Sequence, residues 1–303
     1  MITAIIITRD EQLHIGRCIE RLVPLADRIL IVDSFSSDKT VEMARAAGVE
    51  VMQHEFASHA AQFQWGIDQL GDDQGWIVRV DADEWFEPAA IVAIKERTAA
   101  APTDLAAFDI RRKVIFRGRW IRWGGYYQTV LTRIWRTGAA RIEQRLMDEH
   151  IIIERGRVER ITEGDIVDEN LKDLTDWTDK HNSYATRQMV EMVDLGKSPV
   201  NSLLPGRLSN SAKWKRRLRN GFYARFPLYL RAYLYFFWRY VIRLGFLDGR
   251  EGLVFHTLQG FWQFFLVDAK IDEARLYITA HGIDAFRDHL WQRHRLKIAG
   301  PGD

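Results

Sequence analysis

The chain contains a single cysteine, Cys18, so no intrachain disulfide framework is available to it. A lone thiol fits a reducing compartment. Its spacing with Ile15, Ile19 and Leu22 is that of a buried helix face, which argues for a core position over a nucleophile. No run of about 18 or more uncharged apolar residues occurs, so no spanning helix is expected. The first eight residues lack the basic leader of a signal peptide, and Arg9, Asp10 and Glu11 follow at once. Neither G-x-G-x-x-G nor G-x-x-x-x-G-K-[S/T] is present, which argues against a dinucleotide site and a P-loop. There is no internal repeat or low-complexity tract. A net charge of +2 does not by itself call for a polyanionic partner.

The 303 residues, 47% of them hydrophobic, suffice for one large domain or two smaller ones with a sizeable core. Short apolar runs at 2–8, 28–32, 49–53 and 77–80 read as strands. Between them, residues 11–23, 41–47 and 59–70 carry helical spacing, with a polar capping turn at 36–40 and Gly48 as a stop. Strands alternating with helices predict a parallel sheet with helices on both faces. Pro88 opens a further helix at 88–100. Residues 106–117 and 129–135 read as strands, and 157–167 as a strand pair or extended segment. The chain turns mainly helical after 171, which places a soft boundary near residue 170.

The fourth strand stops at Asp81-Ala82-Asp83-Glu84. Ligands of open α/β sheets bind beyond the carboxyl ends of strands. If the segment is extended, Asp81 and Asp83 point the same way. Two such carboxylates suit a hard divalent cation that also holds substrate phosphates. Thr8, Arg9 and Glu11 close the first strand, and Asp33 with Ser34 closes the second. All of these ends can line one cleft.

Ile-Ile-Thr-Arg-Asp-Glu at 6–11, Ile-Val-Asp-Ser-Phe-Ser-Ser-Asp-Lys-Thr at 31–40 and Asp-Ala-Asp-Glu at 81–84 resemble, in order and spacing, the family-2 glycosyltransferases of GT-A fold. Further pieces resemble a bacterial subgroup that builds lipopolysaccharide cores and exopolysaccharide units. They are Met-Asp-Glu-His at 147–150, Asn170 to Leu174, Lys180 to Tyr184, and Gly245 to Gly249. The resemblance implies a catalytic domain over 1–170 and a helical region over 171–303. It implies that Asp33 and Ser34 meet the base or ribose, with Thr8, Arg9 and Glu11 around the base. Asp81 is implied near the ribose and the metal, with Ala82 also at the nucleotide-sugar, and Asp83 as a ligand of Mg²⁺ or Mn²⁺. It implies an inverting enzyme with a nucleotide-sugar donor, a UDP-sugar by preference, and a lipid-linked saccharide acceptor. Glu149 is the first choice for the general base and Asp148 the second, because many relatives have His-Glu at this point. His150 is either a metal ligand or an orienting partner. A sugar nucleotidyltransferase would need a Gly-rich basic loop after the first strand, which is absent. A catalytically silent membrane-surface module with this fold is the other alternative.

Arg117, Arg119 and Arg122 with Trp120 and Trp123 form a loop suited either to phosphate and sugar or to anchoring in the core. His181, inside a helical pattern, reads as a satisfied structural residue. Between Leu195 and Leu247 there is no Asp or Glu. The stretch carries Lys213, Trp214, Lys215, Arg216, Arg217, Arg219, Phe222 and Arg225, then Arg231, Arg239 and Arg243 among many aromatics. This pattern suits the plane of a membrane interface, with basic side chains snorkelling to anionic headgroups. The pattern predicts a monotopic protein, and the resemblance implies the cytoplasmic face of a bacterial inner membrane as its place. No recognised nucleic-acid module accompanies the patch. A homo-oligomer is the other use for an apolar face.

Overall fold

The computed structural model describes residues 1–71, 75–143, 150–193 and 226–296. Its centre is Ile2–Thr8 (β1), buried along its whole length. A strand covered on both faces reads as one continuous apolar run, which is why Ile-Thr-Ala-Ile-Ile-Ile-Thr shows no alternation. Arg28–Asp33 (β2) and Trp76–Asp81 (β4) pair with it in parallel, and Glu50–Gln53 (β3) lies parallel beyond β2. Ala4 and Ile6 point to one core with Ile15, Cys18, Ile19 and Leu22 of helix α1 (Ile15–Leu22). Ile5 and Ile7 point to the other, with Ala60 and Phe63 of helix α3 (His59–Asp68). Helix α2 (Thr40–Ala46) follows a turn in which the Asp38 carboxylate, not a Ser or Thr, accepts from the Thr40 amide at 2.9 Å.

The second half of the sheet departs from the parallel expectation. Val130–Arg136 (β8) runs antiparallel to β4, and Leu105–Phe116 (β6) runs antiparallel to β8. Strand β6 is 12 residues long, and its two halves have different partners. The first half stays in the main sheet, where Arg157–Arg160 (β11) also joins it. The second half pairs with Ile166–Glu169 (β12), in parallel, and with Arg119–Trp120 (β7). Glu84–Phe86 (β5) then closes this smaller part against β12. The chain therefore leaves the main sheet at Asp81, turns over Ala82 and Asp83, and enters the second part at Glu84. The extended Asp81–Asp83 segment expected from sequence is a turn, because β5 must find β12 at once. Ala140–Ile142 (β9) and Ile151–Ile153 (β10) form a separate hairpin.

Helix α4 (Pro88–Ala99) has Pro88 in its first turn, where a missing N–H costs nothing. After the sheet ends at Glu169, helix α5 (Leu174–Met192) begins at an Asp173 cap that accepts from the Thr175 and Asp176 amides at 2.8 and 3.0 Å. Helix α6 (Leu230–Phe237) continues through a π turn, Trp238–Ile242. A 3-10 turn, Gly245–Asp248, leads to α7 (Gly249–Phe255), a second π turn (His256–Trp262) and α8 (Gln263–His281). Helix α9 (Ile283–His294) folds back, and α5, α8 and α9 share a core around Met189, Val267, Ile271 and Phe286. No helix among the described residues is long and apolar enough to cross a membrane.

Gly66 sets how closely α3 approaches the sheet. A Cβ there would stand 2.8 Å from a Val32 methyl and 3.2 Å from an Ile5 methyl. Gly66→Ala is expected to destabilise by about 1–3 kcal/mol through overpacking, despite alanine's better helix propensity. Urea unfolding followed by far-UV circular dichroism measures it.

Candidate active site

Thr8 and Asp33 end β1 and β2 in register, and Asp81 ends β4 opposite Ile7, so the three share one edge of the sheet. Asp33 is fully buried. Its carboxylate accepts from the Thr8 hydroxyl at 3.0 Å, the Ser36 amide at 2.9 Å and Gln53 Nε2 at 3.2 Å, and from the Ser36 hydroxyl. That fills the roughly four lone-pair positions of a carboxylate. Asp33 therefore clamps three strands together. Ser34 Oγ accepts from Gln62 Nε2 at 2.9 Å. Arg9 is exposed at the edge. The two strand-end loops interlock: the Asp10 amide donates to Ser36 Oγ at 2.9 Å, and the Glu11 amide to Thr40 Oγ1 at 2.7 Å. Asp10 and Phe35 both sit at φ 55° to make this fit. Phe35 is left exposed on the same edge, an aromatic face that sequence reading did not single out.

The acidic turn is organised by Arg133, a nearly buried residue of β8. Its Nη2 donates to Asp81 Oδ2 at 3.1 Å and to Glu84 Oε1 at 2.5 Å. Glu84 Oε2 in turn accepts from the Asp81 amide at 3.1 Å. Desolvation works against the Asp81 charge, but Arg133 and then Arg79 outweigh it and hold that carboxyl below the usual carboxylate range. Glu84 shifts the other way. Its burial, with Asp81, Asp168 and Asp83 nearby, raises it despite Arg133. Asp83 points elsewhere: its Oδ2 accepts from Asn170 Nδ2 at 3.0 Å, and its carbonyl from the Glu169 amide at 3.0 Å.

Asp81, Asp83 and Glu84 line a cavity of about 980 Å³ between the second sheet part and α5. Asp168 and Glu169 of β12 line it too. Burial and the neighbouring Asp83 push Asp168 up to about 6, although Arg112 Nη1 lies 3.4 Å away. On the opposite wall, Trp177, His181 and Tyr184 of α5 meet Gln259, Gln263 and Phe264. Tyr184, with Asp83, Glu11 and Asp168, holds Lys180 in its charged form far above neutral pH. His181 stacks on Trp177 with centroids 3.5 Å apart and donates from Nδ1 to the Trp177 carbonyl at 2.8 Å. Burial pushes it down to about 4, so it is neutral at neutral pH. It is hydrogen-bonded, as expected, but it also faces the cavity.

Segment 169–172 is tied to the first loop. His14 is fully buried; its Nε2 accepts from the Leu171 amide at 2.8 Å, so Nδ1 carries the proton shared with Glu11 Oε2 at 2.6 Å. Lys172 Nζ reaches Glu11 Oε1 at 3.0 Å, and Arg17 Nη1 meets Glu169 Oε2 at 2.5 Å. Cys18 is buried beneath this network, its thiol raised by burial and by Glu84, Asp83 and Asp81. It is a core residue, as its spacing predicts.

The structure thus brings Asp81, Asp83 and the Ala82 turn to a cavity, with Thr8, Asp33 and Ser34 on the adjoining edge. His150 stands before β10, where its carbonyl accepts from the Glu143 amide at 2.8 Å; among the described residues it does not line the cavity. Asp148 and Glu149 lie outside the described residues, as do Lys213, Trp214, Lys215, Arg216, Arg217, Arg219, Phe222 and Arg225. Arg231 and Arg239, expected to snorkel outward, are instead buried. Arg231 pairs with Asp268, and Arg239 donates to the Gly124 carbonyl at 2.9 Å. The Arg–Trp loop is anchored: Asp248 accepts from the Arg122 and Trp123 amides at 3.1 and 3.0 Å. Arg133, His14, Asp168 and Lys180 are the site residues that sequence reading missed or left without a role.

Arg133→Met is expected to destabilise by about 3–5 kcal/mol at pH near 8, because the cation that keeps Asp81 ionised beside the buried Glu84 is removed. The depressed Asp81 group contributes stability above the ordinary carboxylate range, lost as pH falls through it. The raised Glu84 group acts oppositely and is relieved by protonation. Without Arg133 both carboxyls rise, so the deficit relative to wild type narrows toward pH of about 5. Denaturant melts at the two pH values measure the narrowing.

Residues 3–153 match the family model for glycosyl transferase family 2. The lipopolysaccharide core biosynthesis glycosyltransferase LpsC of Rhizobium meliloti (strain 1021) is 26% identical over 203 residues, 65% of this chain and 74% of that protein. An uncharacterized glycosyltransferase of Rickettsia bellii is 36% identical over 83 residues, 27% of this chain and 28% of its own. A Rickettsia typhi relative is 27% identical over 118 residues, 39% of this chain and 40% of that one. The match thus spans under half the length of these two Rickettsia relatives. Among solved structures, glucosyl-3-phosphoglycerate synthase from Mycobacterium tuberculosis, in complex with Mn²⁺, uridine diphosphate and glucosyl-3-phosphoglycerate, aligns at a TM-score of 0.41. Its identity is 12%, over 63% of this chain and 79% of that one. Sequence similarity in this first half coincides with the strand-end loops and the acidic turn, and the chain belongs to glycosyl transferase family 2.

Proposed function

We propose that the chain is a metal-dependent, inverting glycosyltransferase of GT-A architecture. It moves a sugar from a nucleotide-sugar, a UDP-sugar by preference, to a saccharide acceptor carried on a lipid. The observation that carries this reading is the acidic turn at the end of β4, opening on a cavity of about 980 Å³ whose far wall is aromatic and amide-rich. The acidic end suits a diphosphate with its cation. The aromatic end suits sugar faces, with Gln259 and Gln263 as hydroxyl partners. The name of the LpsC relative supports an acceptor in lipopolysaccharide assembly.

The residues present fit a hard divalent cation. Asp83 Oδ2 takes one bond from Asn170, and no hydrogen bond to Oδ1 is found among the described residues. Among those residues no group of three or more His, Cys, Asp or Glu side chains is placed to cage a metal. One or two carboxylates completed by substrate phosphates is the usual arrangement for Mg²⁺ or Mn²⁺. Asp83 would hold the ion, with Asp81 beside it. When bound, the ion supplies Lewis-acid neutralisation of the diphosphate leaving group. Lys180, held charged beside Asp83 and Asp168, adds a second positive group at the same end of the cavity. The loops at 8–11 and 33–36 frame the base, with Phe35 as a ring to stack on.

Inversion requires one base to take the acceptor hydroxyl's proton. The hydroxyl oxygen bonds to the anomeric carbon as the bond to the diphosphate breaks on the opposite side. Glu149 is the proposed base, with Asp148 as the alternative. Glu149→Gln is expected to lower kcat by about 10²–10⁴-fold, and Asp148→Asn by much less. The reverse order would move the base to Asp148. Phosphorus NMR of the products tests the reaction class: nucleoside diphosphate supports sugar transfer, and pyrophosphate would establish a nucleotidyltransferase instead.

A further inference from the structure

Helix α6 and its π turn are amphipathic in the reverse sense. On a helix that packs against a core, apolar side chains face inward and charged ones outward. Here the two arginines face inward. Arg231 lies against Asp268, which is fully buried and also accepts from the Tyr229 amide at 2.7 Å. Arg239 lies over the Tyr126 ring at 3.5 Å. The outward face carries Leu230, Leu234, Phe237, Trp238, Val241 and Ile242, at helical spacing. Phe237, Trp238 and Ile242 are 54, 50 and 51% exposed. The stripe continues into the next turn, where Leu244, Phe246 and Leu247 are also exposed, and on to Leu253 of α7. Tyr235 holds the inner side of α6 on Phe264, with centroids 4.5 Å apart, while Tyr233, 55% exposed, belongs to the outward face and rests on Phe261. Phe264 is itself part of the cavity wall.

We infer that this outward stripe, Leu230 to Leu247 with Leu253, is the surface by which the protein seats on an anionic lipid bilayer. Two observations favour lipid over a second copy of the chain. No acidic residue occurs between Leu195 and Leu247, and the exposed Arg122 and Arg250 stand beside the Gly245–Asp248 turn. A two-fold interface pairs this surface with itself, and the acid-free segment 230–247 then offers no carboxylate to Arg122 and Arg250, whereas anionic headgroups neutralise them. The stripe is also one helix layer from the aromatic cavity wall, which places a lipid-borne acceptor within reach. The docking surface rests on the fold, while this last consequence rests on the glycosyltransferase reading.

The test is flotation of the full chain with vesicles of phosphatidylcholine, with and without phosphatidylglycerol, at low and high salt. Wild type is expected to float with the anionic vesicles and to stay partly bound at high salt, since apolar insertion is not screened. Phe237→Glu with Trp238→Glu is expected to lower the partition coefficient by roughly tenfold or more, about 1.4 kcal/mol or above. Leu276→Glu, at a 68% exposed site on α8, is expected to float as wild type does. Far-UV circular dichroism and a wild-type urea midpoint for the double variant show that it is folded. If that variant is misfolded, hydrogen exchange of wild type decides, with protection of 230–247 expected on vesicles. Equal flotation of variant and wild type would overturn the inference. So would a wild-type dimer that ignores vesicles and becomes monomeric in the variant, or a wild type that neither floats nor associates.

Discussion

The guanidinium of Arg133 between Asp81 and Glu84 is the contact on which the site depends. It reaches from β8, in the main sheet, to the point where the chain crosses into the second part. Three carboxylates in four residues would otherwise repel one another in a partly desolvated turn. With one cation bridging two of them, Asp81 stays ionised and Glu84 is tolerated in the interior. Asp83 is then left to face the cavity, restrained by Asn170. A buried ion pair of this kind adds little net stability, since desolvation offsets its attraction. What it supplies is a fixed turn geometry.

A second set of contacts makes the site one unit with the chain that follows the sheet. Glu11 touches both His14 and Lys172, His14 touches the Leu171 amide, and Arg17 touches Glu169. The loop after β1 and the approach to α5 therefore move together, and α5 brings Trp177, Lys180, His181 and Tyr184 to the cavity. Exposed pairs are worth little, but His14 is wholly buried and held in one tautomer. That rigidity suits a cavity that must hold two substrates in line.

Much of the first half was legible because its signals are local. Ile2–Thr8 reads as a strand from its own residues, and polar strand ends in a parallel order must meet at one edge. Strand β5 was not legible: three residues carry no period, and only pairing with β12 makes them a strand. The antiparallel β8 and the divided β6 are likewise set by partners distant in sequence. Arg133 did leave a signal, since a lone arginine inside an apolar strand needs a carboxylate, as does Arg79 in β4. Asp168 lies one residue beyond the extended segment 157–167, inside β12, which only pairing with β6 and β5 defines. The basic, aromatic stretch reads as a snorkelling face; among its described residues Tyr233, Phe237, Trp238 and Phe246 are exposed, while Tyr229, Tyr235, Phe236 and Tyr240 are half-buried. Sequence spacing did not reveal that Arg231 and Arg239 turn inward, because that depends on Asp268 and the Gly124 carbonyl.

The central claim is that Asp83, at a turn fixed by Arg133, holds a donor diphosphate through a divalent cation. Calorimetric titration of uridine diphosphate into the protein, with and without Mn²⁺, beside Asp83→Ala, tests it most directly. Binding that requires the metal and is lost in the variant is the predicted result. Metal-independent binding that survives Asp83→Ala would contradict the account, as would the absence of binding by any nucleoside diphosphate.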